Sequence, residues 1–222
     1  EMNNLVQNLW TCGFVLCEED REEDEWWLSQ ENGFSHGLFL PNVNDYAHSH
    51  LYEGWLKKDD FRTVQLEGDD LQEHYDWLME IPVAKKVFDD MEAAGMQRPE
   101  WQKLHAAYFS KGYLVIITRE PCPEEDIFKR FAQVFDLTYT RFLDLQKAEG
   151  QAREAQIELS LERIRARVTG MQESSDLLDI VVTMRTEFVN LGHDAHYFWH
   201  MRWLPDVYKK AMTSGDGTKI GM

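Results

Sequence analysis

The chain has 222 residues, 43% hydrophobic and 13% aromatic, which is enough to bury one or two packed cores and too apolar for a disordered segment. Its formal net charge of -17 argues against nucleic acid as a general partner, because affinity for phosphate comes mainly from lysine and arginine, and it disfavours anionic membranes for the same reason. The longest apolar runs, such as Tyr113 to Ile117, are strand-sized, and Cys12, Cys17 and Cys122 lack metal-type spacing. A cytosolic chain with reduced thiols is expected, and the opening at Glu1 reads as a segment excised from a longer protein.

In chain order, Asn3 to Leu9 has helical spacing and Cys12 to Cys17 reads as a buried strand. Glu18 to Glu25 holds seven acidic residues and one arginine, a pattern expected of a solvated turn leading to Trp26, Trp27 and Leu28 in a hairpin. Gly37 to Leu40 is a third candidate strand, Tyr46 to Trp55 is ambiguous, and Phe61 to Leu66 alternates weakly. Leu71, Tyr75 and Leu78 mark one helix. Pro82, Val83, Val87 and Met91, ending at Gly95, mark a second. Lys103 to Phe109 and Tyr113 to Thr118, joined by Ser110-Lys111-Gly112, read as a closing hairpin. Strands, helices and hairpin in this order predict an α+β arrangement with a mostly antiparallel sheet.

From Pro123 to Gln172 the spacing predicts one long helix with Glu124, Glu125 and Asp126 opposing its dipole. Phe131, Phe135, Thr138, Phe142 and Leu145 form a heptad stripe expected to pack on the first domain. Ile157, Leu161, Ile164, Val168 and Met171 form a second stripe out of phase with the first, and are the expected dimer seam. The polar stretch Lys147 to Gln156, with Gly150, lies at the phase slip. Arg163, Arg165 and Arg167 beside the seam read as interchain salt bridges rather than nucleic-acid contacts. After Glu173-Ser174-Ser175, Leu177, Val181, Met184, Phe188 and Leu191 mark a further helix ended by Gly192. Ala195 to Trp203 reads as a strand, and Thr213 to Thr218 as a turn before Lys219 to Met222. The order of helix, small residue and aromatic strand echoes Asn3 to Cys17, a weak internal repeat.

The stretch Ala152 to Gln172, AREAQIELSLERIRARVTGMQ, resembles the linker of bacterial sensor proteins in which GAF-like domains alternate with signalling helices ahead of a histidine kinase or cyclase output. With RFLDLQKAE at Arg141 to Glu149 and SSDLLDIVVTMRTEFVNLG at Ser174 to Gly192, the resemblance covers about a quarter of the chain. It implies a GAF-like sensor domain over residues 1-122, a dimeric signalling helix over 123-172, and the start of a second GAF-like domain over 173-222. It implies no named ligand, and no motif specifies a cofactor.

Few residues suggest chemistry directly. His193, His196 and His200 would share a face on a helix, but the local pattern is a strand. His48 and His50 would share a strand face without an evident third ligand, so no metal site is expected. Cys122, between two prolines at a helix start, is a weak candidate nucleophile. The acidic pairs Asp59-Asp60 and Asp69-Asp70 read as solvated faces, and Gly215-Asp216-Gly217 as a turn. The aromatic surplus is more informative: Trp27, His50, Trp55, His105 and Tyr108 are candidate lining residues for a small planar ligand. The expectation is a non-enzymatic sensory and homodimerisation module, with a ligand-free scaffold as the alternative and a small-molecule enzyme as a weaker one.

Overall fold

The computed structural model describes residues 8-30, 33-34, 37-93, 95, 97-122, 125-193, 197-213 and 219-221. The predicted helix at Asn3 to Leu9 lies outside them apart from its last two residues, and Leu9 already belongs to a strand. The chain divides into two compact units, Glu1–Arg141 and Phe142–Met222.

In the first unit, strands β1 (Leu9–Leu16), β2 (Glu23–Gln30), β3 (Gly33–Phe34), β4 (Leu38–Pro41), β5 (Phe61–Glu67), β6 (Trp101–Phe109) and β7 (Gly112–Thr118) form one antiparallel sheet. The short strands β3 and β4 pair with successive stretches of the same edge of β2. Six strand positions therefore run β3/β4, β2, β1, β7, β6, β5. The α+β class and antiparallel sheet expected from the sequence are present.

Strand alternation divides the sheet into two faces. Val15, Trp26, Val64, Leu104, Val115 and Ile117 pack with α1 (Tyr46–Leu56), α2 (Gly68–Glu80) and α3 (Pro82–Ala93). Ala107, Leu114 and Ile116 face the other way, onto Phe128 and Ala132 of α4 (Glu125–Thr169). With both faces covered, β7 is buried along its whole length. At its start, Gly112 has φ 150, and a Cβ there would collide with the Val15 carbonyl.

One ambiguous stretch is resolved and two expectations are corrected. Tyr46–Leu56 is a helix, because Asp45 caps it: the Asp45 carboxylate accepts from the His48 backbone N–H at 2.9 Å. The acidic stretch is not wholly solvated, since Glu23 to Glu25 begin β2 and put Asp24 on the inward face with Trp26, 1% exposed. The first stripe of α4 is displaced: Phe128, Ala132 and Phe135 meet the sheet, Phe135 stacking on Phe14 at 3.7 Å, whereas Phe131, Thr138, Phe142 and Leu145 are exposed. Ala132 is buried at this contact, a position that a search for large apolar residues passes over.

In the second unit, α4 continues through Gly150 without interruption to Thr169. After a 3-10 turn, α5 (Leu177–Asn190) leads to the meander β8 (Trp199–Trp203), β9 (Tyr208–Thr213) and β10 (Lys219–Gly221). Helix α5 is tied to α4 by polar contacts. Ser160 Oγ donates to the buried Glu187 carboxylate at 2.8 Å, Arg163 reaches the same carboxylate at 3.2 Å, and Arg167 reaches Asp179 at 3.1 Å. Arg165 pairs with Glu162. The three arginines expected to bridge two chains thus pair within one. Among the described residues no helix is long and apolar enough to cross a membrane.

Asp24 generates a pH-dependent prediction. Burial, only partly offset by hydrogen bonds from Asn42 and Cys17, pushes its carboxyl up to about 6. A raised carboxyl favours the folded state below its unfolded pKa of 3.8, and that contribution, on the order of 3 kcal/mol, is lost as pH rises through about 6. Asp24→Asn should therefore raise the unfolding free energy by about 1 to 3 kcal/mol at pH 8, with the gain disappearing near pH 4. Urea unfolding at the two pH values measures it.

Candidate functional site

Between the sheet and helices α1 to α3 lies a cavity of about 230 Å³. Its floor comes from Trp10, Trp26, Leu28, Leu104 and Ile117 of the sheet, and its roof from His48 of α1, His74, Tyr75 and Leu78 of α2, and Ala84, Val87 and Phe88 of α3. The wall is mostly apolar, with a few fixed polar groups, as is usual for small-molecule sites. Tyr75 Oη donates to Gln102 Oε1 at 3.2 Å, leaving the Gln102 Nε2 hydrogens as donors at the cavity wall. Burial pushes the Tyr75 phenol up to about 12, so it stays neutral. The Trp26 indole Nε1–H is buried and has no acceptor among the described residues. An apolar cavity of about 150 Å³ accepts benzene, so this one has room for a larger fused ring.

One wall carries a polar cluster. Asp45 uses one carboxylate oxygen to cap α1 and the other to meet His74 Nδ1 at 3.0 Å. His48 Nδ1 lies 3.2 Å from the Pro41 carbonyl, which accepts its proton and leaves Nε2 with the lone pair. The His48 ring stacks on Trp26 at 4.6 Å and meets Trp77 edge-on at 4.8 Å. Burial, reinforced by the neighbouring His74, lowers the His48 pKa to about 4, so its ring is neutral at physiological pH. Burial alone would raise Asp45, but the hydrogen bonds from His74 and from the His48 backbone N–H outweigh it and hold the carboxyl below its ordinary value. Asp45 and His74 also line a second, more open pocket of about 370 Å³ with Asp70, Glu73 and Trp77.

None of Trp27, His50, Trp55, His105 and Tyr108 lines the apolar cavity. Trp27 points to the opposite face from Trp26 and is 38% exposed, and His50 stacks on Tyr46 at 5.6 Å. Trp55 packs on Tyr52, and Tyr108 Oη donates to the Leu51 carbonyl at 2.8 Å. His105 is wholly buried beneath α4, with Nε2 3.2 Å from Thr118 Oγ1 and its ring 5.3 Å from Phe128. Trp27, His50 and His105 lie one or two positions from the lining residues Trp26, His48 and Leu104, because which face of an element is buried decides between them, whereas Trp55 has no lining residue near it in sequence. On α2 the signal was legible: His74 falls on the stripe Leu71, Tyr75, Leu78.

Other candidates stay apart. His48 and His50 diverge on a helix, His48 buried and His50 partly so. His196 lies outside the described residues, while His193 follows α5 with its ring 5.7 Å from Phe188. Cys122 is buried. No protein-family model matches this chain, and no curated protein matches it.

Asp45 should be the most sensitive polar residue of this wall. Asp45→Ala removes both the helix cap and the His74 partner and should cost about 2 to 4 kcal/mol at pH 7. Asp45→Asn keeps a capping oxygen and should cost less than half as much. Because a depressed carboxyl contributes stability above its unfolded pKa, the wild-type advantage over Asp45→Asn should shrink as pH falls below about 4. Equilibrium denaturation across pH tests both the order and the sign.

Proposed function

We propose that the chain is the sensory and dimerisation part of a bacterial signal-transduction protein, in which a GAF-like first unit holds a small planar molecule and the long helix relays its presence to an output domain of the kinase or cyclase class. The observation that carries this reading is that a single sheet separates the cavity from the helix. On β6, Leu104 walls the cavity while the adjacent His105 meets Phe128 of α4. On β7, Ile117 walls the cavity while the adjacent Ile116 packs in the cluster with Phe128 and Ala132. A ligand that displaces one residue of such a pair bears on the other through the same backbone. Coupling then requires two discrete packings of the helix on the sheet.

The second half of α4 supports homodimerisation. Leu161 and Val168 are exposed apolar residues at heptad spacing on α4, with Ile157 and Ile164 half-buried between them and the α5-facing side; Met171, expected to extend the stripe, is exposed but lies beyond the end of the helix at Thr169. At about 100° per residue, this seam lies about 70° around the helix from Arg153, Ser160 and Arg167, which contact α5. A second chain thus has a face of its own to pair with. The helix α5 and meander β8 to β10 suit the start of a second sensor unit. The same cavity, at the small end of ligand sites, also suits a ligand-free scaffold.

Native mass spectrometry distinguishes these readings. The sensor reading predicts a dimer carrying a bound small molecule. Ala84 lines the cavity from α3, so Ala84→Phe, which fills the cavity, should release the molecule while keeping the dimer. Leu161→Glu should give monomer. A dimer that carries no small molecule in either the wild type or Ala84→Phe favours the scaffold.

A further inference from the structure

We propose that Asp45, His48 and His74 form a binding site for one divalent transition-metal cation of the zinc class, in the wall between the apolar cavity and the outer acidic pocket. The inference stands apart from the sensor reading, since metal binding is measured without any organic ligand.

Four observations support it. One ligand atom from each of the three residues lies within 4.8 Å of the others, and all three residues are buried. Two imidazoles and one carboxylate suit zinc and neighbouring transition metals, whereas magnesium and calcium favour all-oxygen sites. Metal bonds of about 2.0 to 2.1 Å in a tetrahedron set donor atoms about 3.3 Å apart. The Asp45 Oδ1 to His74 Nδ1 separation of 3.0 Å is close to that spacing once the cation displaces the Nδ1 proton to solvent, and with all three donors within 4.8 Å of one another the third needs a shift of at most about 1.5 Å.

The surroundings orient the donors. The Pro41 carbonyl holds His48 Nδ1, and the His48 backbone N–H holds Asp45 Oδ2, leaving Oδ1 toward His74. Such outer contacts fix ligand orientation in metal sites. Charge points the same way: among the described residues no lysine or arginine lines either pocket, while Asp70 and Glu73 join Asp45 around the outer one. A buried carboxylate in such a setting favours a positive partner, and the outer pocket gives a cation a route in. Three protein ligands leave one tetrahedral position for water or for a donor group of a molecule in the cavity.

The test is titration of the untagged, metal-stripped chain with Co²⁺, followed by visible absorption. We expect one equivalent per chain with the intense bands of four-coordinate cobalt, displaced by Zn²⁺. Asp45→Asn, which keeps the helix cap, and His74→Gln should each weaken binding at least tenfold, and His50→Gln should leave it unchanged. Absence of a stoichiometric complex overturns the proposal, as does binding that survives both substitutions or is lost in His200→Ala instead. Should either variant fail to fold, X-ray absorption of the wild-type zinc complex decides: two imidazoles in the first coordination sphere support the site, and any other number overturns it.

Discussion

Everything in the first unit depends on a sheet that is covered on both faces. β7 has no solvent-exposed residue, so each of its side chains is committed either to helices α1 to α3 or to α4. A strand buried on both sides cannot shift register without moving its apolar set from one layer to the other. That rigidity positions the cavity wall, and it places residues of opposite function next to each other along the chain.

The acidity of the chain is managed differently inside and outside. Most carboxylates are exposed, but Asp24 and Asp45 are buried and meet opposite fates. Asp45 receives a backbone N–H and a histidine, which hold it ionised. Asp24 meets an amide and a thiol among the described residues, and burial prevails. In the second unit, Glu187 is likewise buried, but Ser160 and Arg163 reach it. Helix α5 is therefore joined to α4 through polar contacts that leave the apolar seam of α4 for another surface.

The closing hairpin and most helices are legible in the sequence: β7 is a continuous apolar run set off from β6 by Ser110-Lys111-Gly112, and α2 carries the Leu71, Tyr75, Leu78 stripe. Helix α1 was not, because its apolar residues are interrupted by His48, Ser49 and His50, and its decisive signal is the Asp45 cap. The inner stripe of α4 differs from the expected one because the aromatic residues Phe131 and Phe142 are exposed while the smaller Ala132 is buried. The cavity residues were missed for a related reason. Adjacent tryptophans or nearby histidines have similar chemistry, and only the packing of neighbouring elements chooses Trp26 over Trp27 and His48 over His50. The pairing of His74 with Asp45 joins residues 29 positions apart and has no local signature.

The central claim is that the sheet couples the cavity to α4. Amide hydrogen exchange of the wild-type chain and of Ala84→Phe, in which the cavity is filled from α3, tests it most directly. The account predicts altered exchange not only in α2 and α3 but also in β6, β7 and the Phe128 to Tyr139 segment of α4. A change confined to the helices around the cavity, with α4 exchanging as before, would contradict it.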